Sequence, residues 1–299
     1  MVSVCMITYN HEKYIHDAIA GILIQKVNFE IELVIGDDHS TDATLAICKE
    51  YEKNKAIHIK TLTADKNLGI GPNFIRTLQA CEGKYIAVCE GDDYWTDPNK
   101  LQKQITFLEA NPKYSAIGHQ TEIINENCPG KSELFTCYEE KTLSKKEIIQ
   151  SNVFHTNAIV FRKDAFAKFK YSNIQYFFDH ELFILLAQSG MFYILSDVMS
   201  VYRRHDSGAA GTSTPKRAYY EQIGWITELR TILGLRFFWG YNFLSSEVQC
   251  YYALNHPDVF DPGFIMRLYY FIKYASITIL LYPRNIKAAI RLIPKLIQT

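Results

Sequence analysis

The stretch KYIAVCEGDD, residues 84–93, joins an apolar run to three carboxylates, those of Glu90, Asp92 and Asp93. A short apolar run that ends in polar residues is typical of a buried β-strand. Carboxylates this close together repel one another and shift each other's pKa values unless a cation neutralises them. Since hard oxygen ligands suit Mg²⁺ or Mn²⁺, the stretch predicts a divalent-cation site at a strand end. The alternative is a solvated turn whose acids cap the helix that begins near Asp97.

The residues before this stretch alternate between short apolar runs and helical patterns. The predicted strands are Val2–Thr8, Ile31–Gly36, Ile57–Leu62 and Lys84–Cys89, and the predicted helices are Glu12–Leu23, Asp42–Glu52 and Pro72–Cys81. Alternation of this kind predicts an α/β fold with a mostly parallel central sheet flanked by helices. Such sheets bind ligands at the carboxyl ends of their strands.

Polar residues also follow the other predicted strands. They are Thr8, Tyr9, Asn10 and Glu12 after the first strand, Asp38 after the second, and Asn67 in the loop after the third. A carboxylate such as that of Asp38 can accept hydrogen bonds from a nucleobase or a ribose, whereas Asp42 suits the N-cap of the next helix. Because these residues should meet the acidic stretch at one edge of the sheet, a ligand site is favoured over a solvated turn.

The composition limits the class of protein. Lys and Arg together number 32, as do Asp and Glu, so the chain of 299 residues has no strong field to attract nucleic acid. Its seven cysteines form no CxxC pair, which implies neither a disulfide framework nor a zinc cluster and suits a reducing compartment. The chain begins in a strand-like run without a basic stretch or a cleavage site, so we expect no signal peptide and a cytoplasmic location.

Three blocks of the sequence resemble the family 2 glycosyltransferases. They are VSVCMITYN at residues 2–10, DDHSTD at residues 37–42 and EGDD at residues 90–93. The next stretch, YWTDPNKL at residues 94–101, is similar to members that assemble bacterial surface polysaccharides such as O-antigen or capsule. The resemblance covers roughly residues 1–210 and implies a GT-A fold that binds a nucleotide-sugar, with inversion at the anomeric carbon. The change of pattern near Lys216 places the catalytic domain at residues 1–215.

The resemblance also implies roles for individual residues. Tyr9 would flank the nucleobase, and Asp38 would bind the uracil ring. Asp92 would contact the ribose or the donor sugar, and Asp93 would bind the metal. His39 replaces a common glycine of the second block, so we expect the turn there to differ slightly.

A general base is expected further along the chain, because inverting transfer needs a carboxylate that takes the proton of the acceptor hydroxyl. The stretch FDHEL, residues 178–182, opens an apolar helix, and Asp179 matches the acid that serves as base in the resembled family. Glu181 is the alternative base. Asp179 also suits the N-cap of this helix, a structural role that does not exclude catalysis.

The segment YRRH, residues 202–205, resembles one that closes over the diphosphate in the family. Arg203 or Arg204 would bind phosphate as a planar fork, and His205 would complete the metal shell, although an arginine pair can also be plain solvated surface. The predicted site therefore has Asp179 as catalytic base, Asp93 and His205 as ligands of Mn²⁺ or Mg²⁺, and as donor-binding residues Thr8, Tyr9, Asn10, Glu12, Asp38, Asn67, Asp92, Arg203 and Arg204.

The C-terminal region, residues 216–299, has mostly helical patterns, and residues 264–299 carry six basic residues and no acid. In residues 284–298 the basic side chains recur at near-helical spacing beside isoleucines, which is typical of a helix lying in an anionic membrane interface. The alternative is a helical hairpin packed on the catalytic domain, and Pro294 should kink or end a continuous helix. We predict a peripheral protein on the inner face of the cell membrane.

These features together predict an inverting glycosyltransferase that moves a hexose or an N-acetylhexosamine from a UDP-sugar to a saccharide acceptor linked to a lipid diphosphate. A metal-dependent sugar nucleotidylyltransferase has similar requirements but normally carries a Gly-rich phosphate loop, where this chain has TYNHE at residues 8–12. A catalytically dead nucleotide-sugar-binding protein is the non-enzymatic alternative, and the presence of Asp92, Asp93 and Asp179 argues against it.

Overall fold

A computed structural model describes residues 1–128, 130–169, 179–208, 214–233, 238–256, 259 and 269–275. The chain divides into two compact units, Met1–Gly211 and Thr212–Thr299.

The first unit is built on one mixed sheet with helices between its early strands. The strands are β1 (Val2–Thr8), β2 (Ile31–Asp37), β3 (His58–Leu62), β4 (Tyr85–Val88), β5 (Tyr94–Trp95), β6 (Tyr114–Asn125), β7 (Ser132–Leu134), β8 (Lys141–Leu143), β9 (Val160–Arg162) and β10 (Met191–Arg204). The helices are α1 (Ile15–Leu23), α2 (Thr44–Tyr51), α3 (Ile70–Ala80), α4 (Lys100–Ala110), α5 (Lys145–Gln150), α6 (Lys163–Ala167) and α7 (Asp179–Leu186), with a 3₁₀ turn at Thr156–Ala158. The strand order is β3-β2-β1-β4-β9-β6-β10-β5, with β7 on β6 and β8 on β10.

The predicted α/β fold is confirmed, but only one half of the sheet is parallel throughout. Strands β1 to β4 pair in parallel, since a helix connects each to the next. β9 instead runs antiparallel to both β4 and β6, and β5 runs antiparallel to β10. Because β6 and β10 also pair in parallel, most paired residues of the sheet are in parallel ladders, as predicted. The departure is β9, a three-residue strand that enters from the 3₁₀ turn without a helical crossover.

Strands β1, β2 and β4 are buried on both faces, which is why they read as continuous apolar runs. Helix α1 covers one face with Ile15, Ile19 and Ile22, spaced three or four residues apart so that they share one side of the helix. Gly21 allows α1 to pass close to β5, because a Cβ there would lie 2.7 Å from the backbone nitrogen of Trp95. This packing places the start of α1 beside the carboxyl ends of the strands.

Most of the described residues of the second unit are helical. It contains α8 (Pro215–Leu233) and α9 (Phe238–Asn255), and residues 269–275 are also helical. The rings of Tyr219 on α8 and Tyr252 on α9 meet edge to face at 5.0 Å. Among the described helices, none has the length and apolar content needed to cross a membrane. The predicted interfacial segment, residues 284–298, lies outside the described residues.

Candidate functional site

The carboxyl ends of β1, β2 and β4 bring three polar segments together. Thr8 at the end of β1 pairs in register with Asp37 at the end of β2. Residues Glu90–Asp93, here called the acid loop, follow β4 and are held against β1 by a hydrogen bond from Gly91 N to Ile7 O of 2.9 Å. A Cβ on Gly91 would lie 2.6 Å from Thr8 Oγ1, so the acid loop packs directly on Thr8. The predicted convergence of strand ends is present.

Asp93 joins the acid loop to β10. Its side chain is only 1% exposed, and each oxygen accepts a hydrogen bond: Oδ1 from Arg203 N and Oδ2 from Asn157 Nδ2, both at 3.0 Å. Burial raises the pKa of Asp93 well above its usual value, and the charges of Asp92 and Glu90 raise it further. Asp93 therefore faces inward, toward the protein backbone.

Asp92 faces two imidazoles instead. Its Oδ2 lies 3.2 Å from His205 Nε2 and 3.5 Å from His11 Nε2, and its side chain is 17% exposed. Burial acts to raise the pKa of Asp92, but the His205 hydrogen bond and the nearby imidazoles lower it below its usual value. The other ring nitrogen of His205, Nδ1, is 2.8 Å from Ser207 Oγ, which orients the imidazole. This arrangement resembles the outer support that metal-bound histidines usually have.

A divalent cation fits the acid loop. Carboxylate and imidazole together suit Mn²⁺, and buried Thr8 Oγ1 and Glu90 Oε2 have no hydrogen-bond partner among the described residues. Unpaired buried polar atoms are rare in folded proteins and point to a bound ion or water.

Two groups of residues could hold the cation. Glu90, Asp93 and His155 each offer a ligand atom within 4.8 Å of one another, and each oxygen of Asp93 accepts one hydrogen bond and keeps a second lone pair. His155 Nδ1 also accepts a hydrogen bond from a backbone N–H. Asp92 is more exposed than Asp93, and Ser207 orients the ring of His205, so we favour the pair of Asp92 and His205. Metal binding by His205 and by Asp93 stays a prediction. The aspartate that His205 contacts in the structure is Asp92, and the sequence had paired His205 with Asp93.

Asp179, the predicted base, opens α7 and lies near the acid loop. Burial raises the pKa of Glu90, and among charged groups Asp179 is the largest cause of a further rise. The charge of Asp179 also acts on His155. Asp179 is half-buried, whereas Glu181, the alternative base, is 0% exposed. A base must meet an acceptor hydroxyl that arrives from solvent, so Asp179 is the better placed of the two.

The segment after β1, residues 10–12, and the segment before α2, residues 41–43, are joined by hydrogen bonds in both directions. Asn10 Oδ1 accepts from Thr41 N at 2.8 Å, and Glu12 Oε2 accepts from Ala43 N at 3.0 Å. In return, Asp42 Oδ2 accepts from Glu12 N at 3.1 Å. Asn10 and Glu12 thus secure the start of α2, and their predicted contact with the donor would come in addition to this role.

The predicted uracil ligand, Asp38, also shapes a loop. Its two carboxylate oxygens accept from Leu68 N at 2.8 Å and Gly69 N at 2.9 Å, and the residue is 4% exposed. The exposed Asn67 accepts a third bond from Gly69 N. Each oxygen of Asp38 keeps a second lone pair, so binding of a base remains chemically open and stays a prediction.

The turn that contains His39 keeps the shape that a glycine would favour. His39 has a φ of 66°, in the left-handed region, and its Nδ1 lies 3.0 Å from Ala64 O. The hydrogen bond across to the loop after β3 helps to hold this conformation, which few side chains adopt readily. Nearby Tyr9 is 41% exposed, open enough to flank a nucleobase as predicted.

The two arginines of the YRRH segment lie at the end of strand β10. The Arg203 guanidinium packs over the ring of Tyr94 at 4.6 Å and pairs with Asp17. Arg204 pairs with Glu133 at 2.9 Å. Phosphate binding by either arginine stays a prediction, and it would require the guanidinium to leave its carboxylate.

Sequence reasoning missed the roles of His11, His155 and Asn157. His11 directly follows the first block, two residues after Tyr9, so its position after a strand was a usable signal. His155 stacks on Tyr202 at 4.2 Å and contacts Asp93, but it comes from a stretch without a periodic pattern. No sequence signal pointed to Asn157.

Comparison with known proteins identifies the family signature and the fold. A family model described as "Glycosyl transferase family 2" matches residues 3–169. The uncharacterized protein Rv1520 of Mycobacterium tuberculosis is 34% identical over 224 residues, which make up 75% of this chain and 64% of that protein. The match thus spans slightly less than two thirds of the relative's length.

Two solved structures share the fold. S. aureus TarS 1–349 in complex with UDP-GlcNAc aligns with 99% of this chain and 88% of its own, at a TM-score of 0.65 and 16% identity. The mannosyltransferase PcManGT from Pyrobaculum calidifontis, in complex with GDP-Man and Mn²⁺, aligns with 99% and 86%, at a TM-score of 0.55 and 14% identity. At these identities the alignments concern the fold alone.

Proposed function

The chain belongs to glycosyl transferase family 2 and contains a glycosyltransferase domain, and on this basis we propose that it transfers a hexose or an N-acetylhexosamine from a UDP-sugar with inversion. The observation that carries the proposal is the contact between the acid loop and His205 at the carboxyl ends of the strands, with Asp179 close enough for its charge to act on Glu90. TarS, which shares the fold, was solved with UDP-GlcNAc, and this supports a UDP-sugar donor.

We propose that Asp92 and His205 hold Mn²⁺ or Mg²⁺. A divalent cation at this place would neutralise the charge that develops on the diphosphate leaving group. Support comes from the 3.2 Å contact between the two side chains and from the Mn²⁺ in the PcManGT structure. Asp93, with both oxygens hydrogen-bonded inside the protein, fixes the acid loop.

Asp179 acts as the general base in this proposal. The acceptor hydroxyl forms a bond to the anomeric carbon on the face opposite the diphosphate, while the bond from that carbon to the phosphate oxygen breaks. The hydroxyl proton passes to the carboxylate of Asp179, and the electron pair of the broken bond leaves with UDP. Exposed Tyr9 flanks the nucleobase, and Asp38 shapes the pocket around it.

The acceptor is proposed to be a saccharide linked to a lipid diphosphate, used for a bacterial surface polysaccharide such as O-antigen or capsule. The protein would then work on the cytoplasmic face of the cell membrane, held there through the C-terminal region. The six basic residues and no acid of residues 264–299 support this placement. Large exposed side chains in the second unit also support it, namely those of Tyr220, Tyr251, Tyr269 and Ile272.

The test is UDP-sugar hydrolysis and transfer by the intact protein over a panel of donors, with Mn²⁺ or with EDTA. Asp179→Asn should lower kcat about 10²–10⁴-fold while UDP and Mn²⁺ still bind, because the base acts only in the transition state. Glu181→Gln is the matched control on the same helix and should keep its kcat if it folds.

Separate outcomes overturn separate parts of the proposal. Full activity in EDTA would refute the role of the cation. Activity in Asp179→Asn together with its loss in folded Glu181→Gln would move the base to Glu181. If Asp93→Asn loses Mn²⁺-dependent UDP binding while Asp92→Asn retains it, Asp93 is the metal ligand and our choice of Asp92 fails.

A further inference from the structure

The side chain of Asn157, in the 3₁₀ turn, is 0% exposed and uses all of its hydrogen-bonding capacity. Its Nδ2 donates to Asp93 Oδ2 and to Val201 O, both at 3.0 Å. Its Oδ1 accepts from Thr121 Oγ1 at 3.1 Å and from Ser200 Oγ at 2.8 Å. Since a carboxylate and a carbonyl can only accept, these partners determine which way the amide points.

Asn157 and Asp93 together form one bridge from the acid loop to β10. Asp93 accepts from Arg203 N, while Asn157 donates to Val201 O, two residues earlier on the same strand. The end of β10 leads directly into His205, whose Nε2 lies 3.2 Å from Asp92 Oδ2. The bridge therefore sets where His205 stands relative to the acid loop.

The backbone that carries Asn157 is itself fixed by two buried side chains. Trp95 Nε1 donates to Asn157 O at 2.9 Å, and Gln104 Nε2 donates to Ala158 O at 2.8 Å. Both donors are fully or almost fully buried. Because the turn is anchored in this way, a change in the amide cannot be absorbed by a small movement of the backbone.

We infer that Asn157 is a positioning residue that sets the register between the acid loop and β10, and through it the divalent-cation affinity of Asp92 and His205. The inference rests on the proposed function, since it requires a cation at that pair. Loss of the outer hydrogen-bond partners of metal ligands typically lowers metal affinity about 10–100-fold, and Asn157 would act in a similar way through Asp93 and β10, which position the two ligands. We expect a loss of that size when the Nδ2 donor of Asn157 is removed.

Two substitutions and one control isolate the donor. Asn157→Asp is isosteric but places a carboxylate oxygen against the acceptors of Asp93 and Val201. Asn157→Ser is milder, because a hydroxyl can donate to only one of them. Ser200→Ala removes a hydrogen bond to Oδ1 of the same amide and leaves both Nδ2 bonds in place.

The experiment measures Mn²⁺ binding by the intact protein in the presence of UDP, from the spin-resonance signal of free Mn²⁺, together with the Tm. We expect Asn157→Asp to weaken Mn²⁺ binding about 10–100-fold, Asn157→Ser to weaken it less, and Ser200→Ala to bind like the wild type. The inference is overturned if the folded Asn157 variants bind Mn²⁺ as the wild type does. It is also overturned if Ser200→Ala loses as much Mn²⁺ affinity per degree of lost Tm as the Asn157 variants do. General loss of packing would then explain the weaker binding in all of them. A wild-type protein that binds UDP but no Mn²⁺ would refute the cation in the proposed function, and the inference with it.

Discussion

Substituting Gly91 by alanine tests whether the acid loop depends on close contact with β1. The added Cβ would lie 2.8 Å from Thr8 Cβ and 2.6 Å from Thr8 Oγ1. Ordinary contact begins at 3.4 Å, so the carbon pair is 3.4 − 2.8 = 0.6 Å too close. Thr8 is 2% exposed in β1 between β2 and β4, and its branched side chain has little rotational freedom. The acid loop, and not Thr8, must therefore move.

The expected cost follows from this displacement. Overpacking of a well-packed site typically destabilises a protein by about 1–3 kcal/mol. Misplacing catalytic groups by about 1 Å can lower the rate about 10²-fold, so a shift of half that size should still cost about tenfold in kcat. We expect Gly91→Ala to lower both the Tm and kcat.

Gly83→Ala is a matched control, because Gly83 precedes strand β4 whereas Gly91 follows it. Its Cβ would lie 2.5 Å from Ser3 N and 2.6 Å from Ser3 Oγ, an equally severe overlap away from the acid loop. It should lower the Tm by a similar amount and leave kcat within about twofold, because the overlap only adds strain to the core there. The assay is donor hydrolysis with saturating Mn²⁺, well below the Tm of each variant. An unchanged kcat in Gly91→Ala, or an equal loss in Gly83→Ala, would refute the argument.

Two further predictions concern other parts of the chain. Lys100 is 0% exposed over the ring of Trp95, and burial lowers its pKa from 10.5 to about 7. Between these pH values the unfolded chain therefore binds more protons than the folded one, so the free energy of unfolding should rise from pH 7 to 10. Chemical denaturation of Lys100→Met should show a smaller rise over the same pH range. Removing residues 284–299 should release the protein from anionic vesicles in a sedimentation assay, and high salt should weaken binding of the full chain, since each basic residue contributes ~1 kcal/mol at the membrane surface. Equal pH slopes, or vesicle binding unchanged by the truncation, would contradict these two expectations.

The parallel half of the sheet could be predicted from the sequence because its signals are local. Strands β1 to β4 begin and end within one residue of the predicted bounds. In β1, β2 and β4 both faces are buried, so the apolar run ends where the strand ends. The antiparallel position of β9 had no such signal. Three residues are too few for a periodic pattern, and pairing with β4 and β6 depends on contacts distant in sequence.

The candidate site was predictable at the level of segments but not of atoms. Parallel strands bring their carboxyl ends to one edge, so polar residues after successive strands had to meet there. The hydrogen-bond partners depend on how loops from distant parts of the chain fold together. Arg203 illustrates this, because its carboxylate partner is Asp17, 186 positions earlier. A local pattern of two arginines indicates charge and says nothing of that partner.

Asp92 and Asp93 show where the limit lies. Asp92 lies in a turn that the hydrogen bond from Asp93 N to Glu90 O closes at 3.2 Å, and the two aspartate side chains contact different partners. Which aspartate faces inward depends on the strand that arrives beside it, and Arg203, whose N–H binds Asp93, lies 110 residues further on. Because β10 presents Arg203 N and Val201 O to Asp93 and to its partner Asn157, Asp93 faces inward and Asp92 is left facing His205. The assignment of the metal ligand therefore depends on β10 as much as on the acid loop, and this is why variants at Asn157 test it as directly as variants at Asp92.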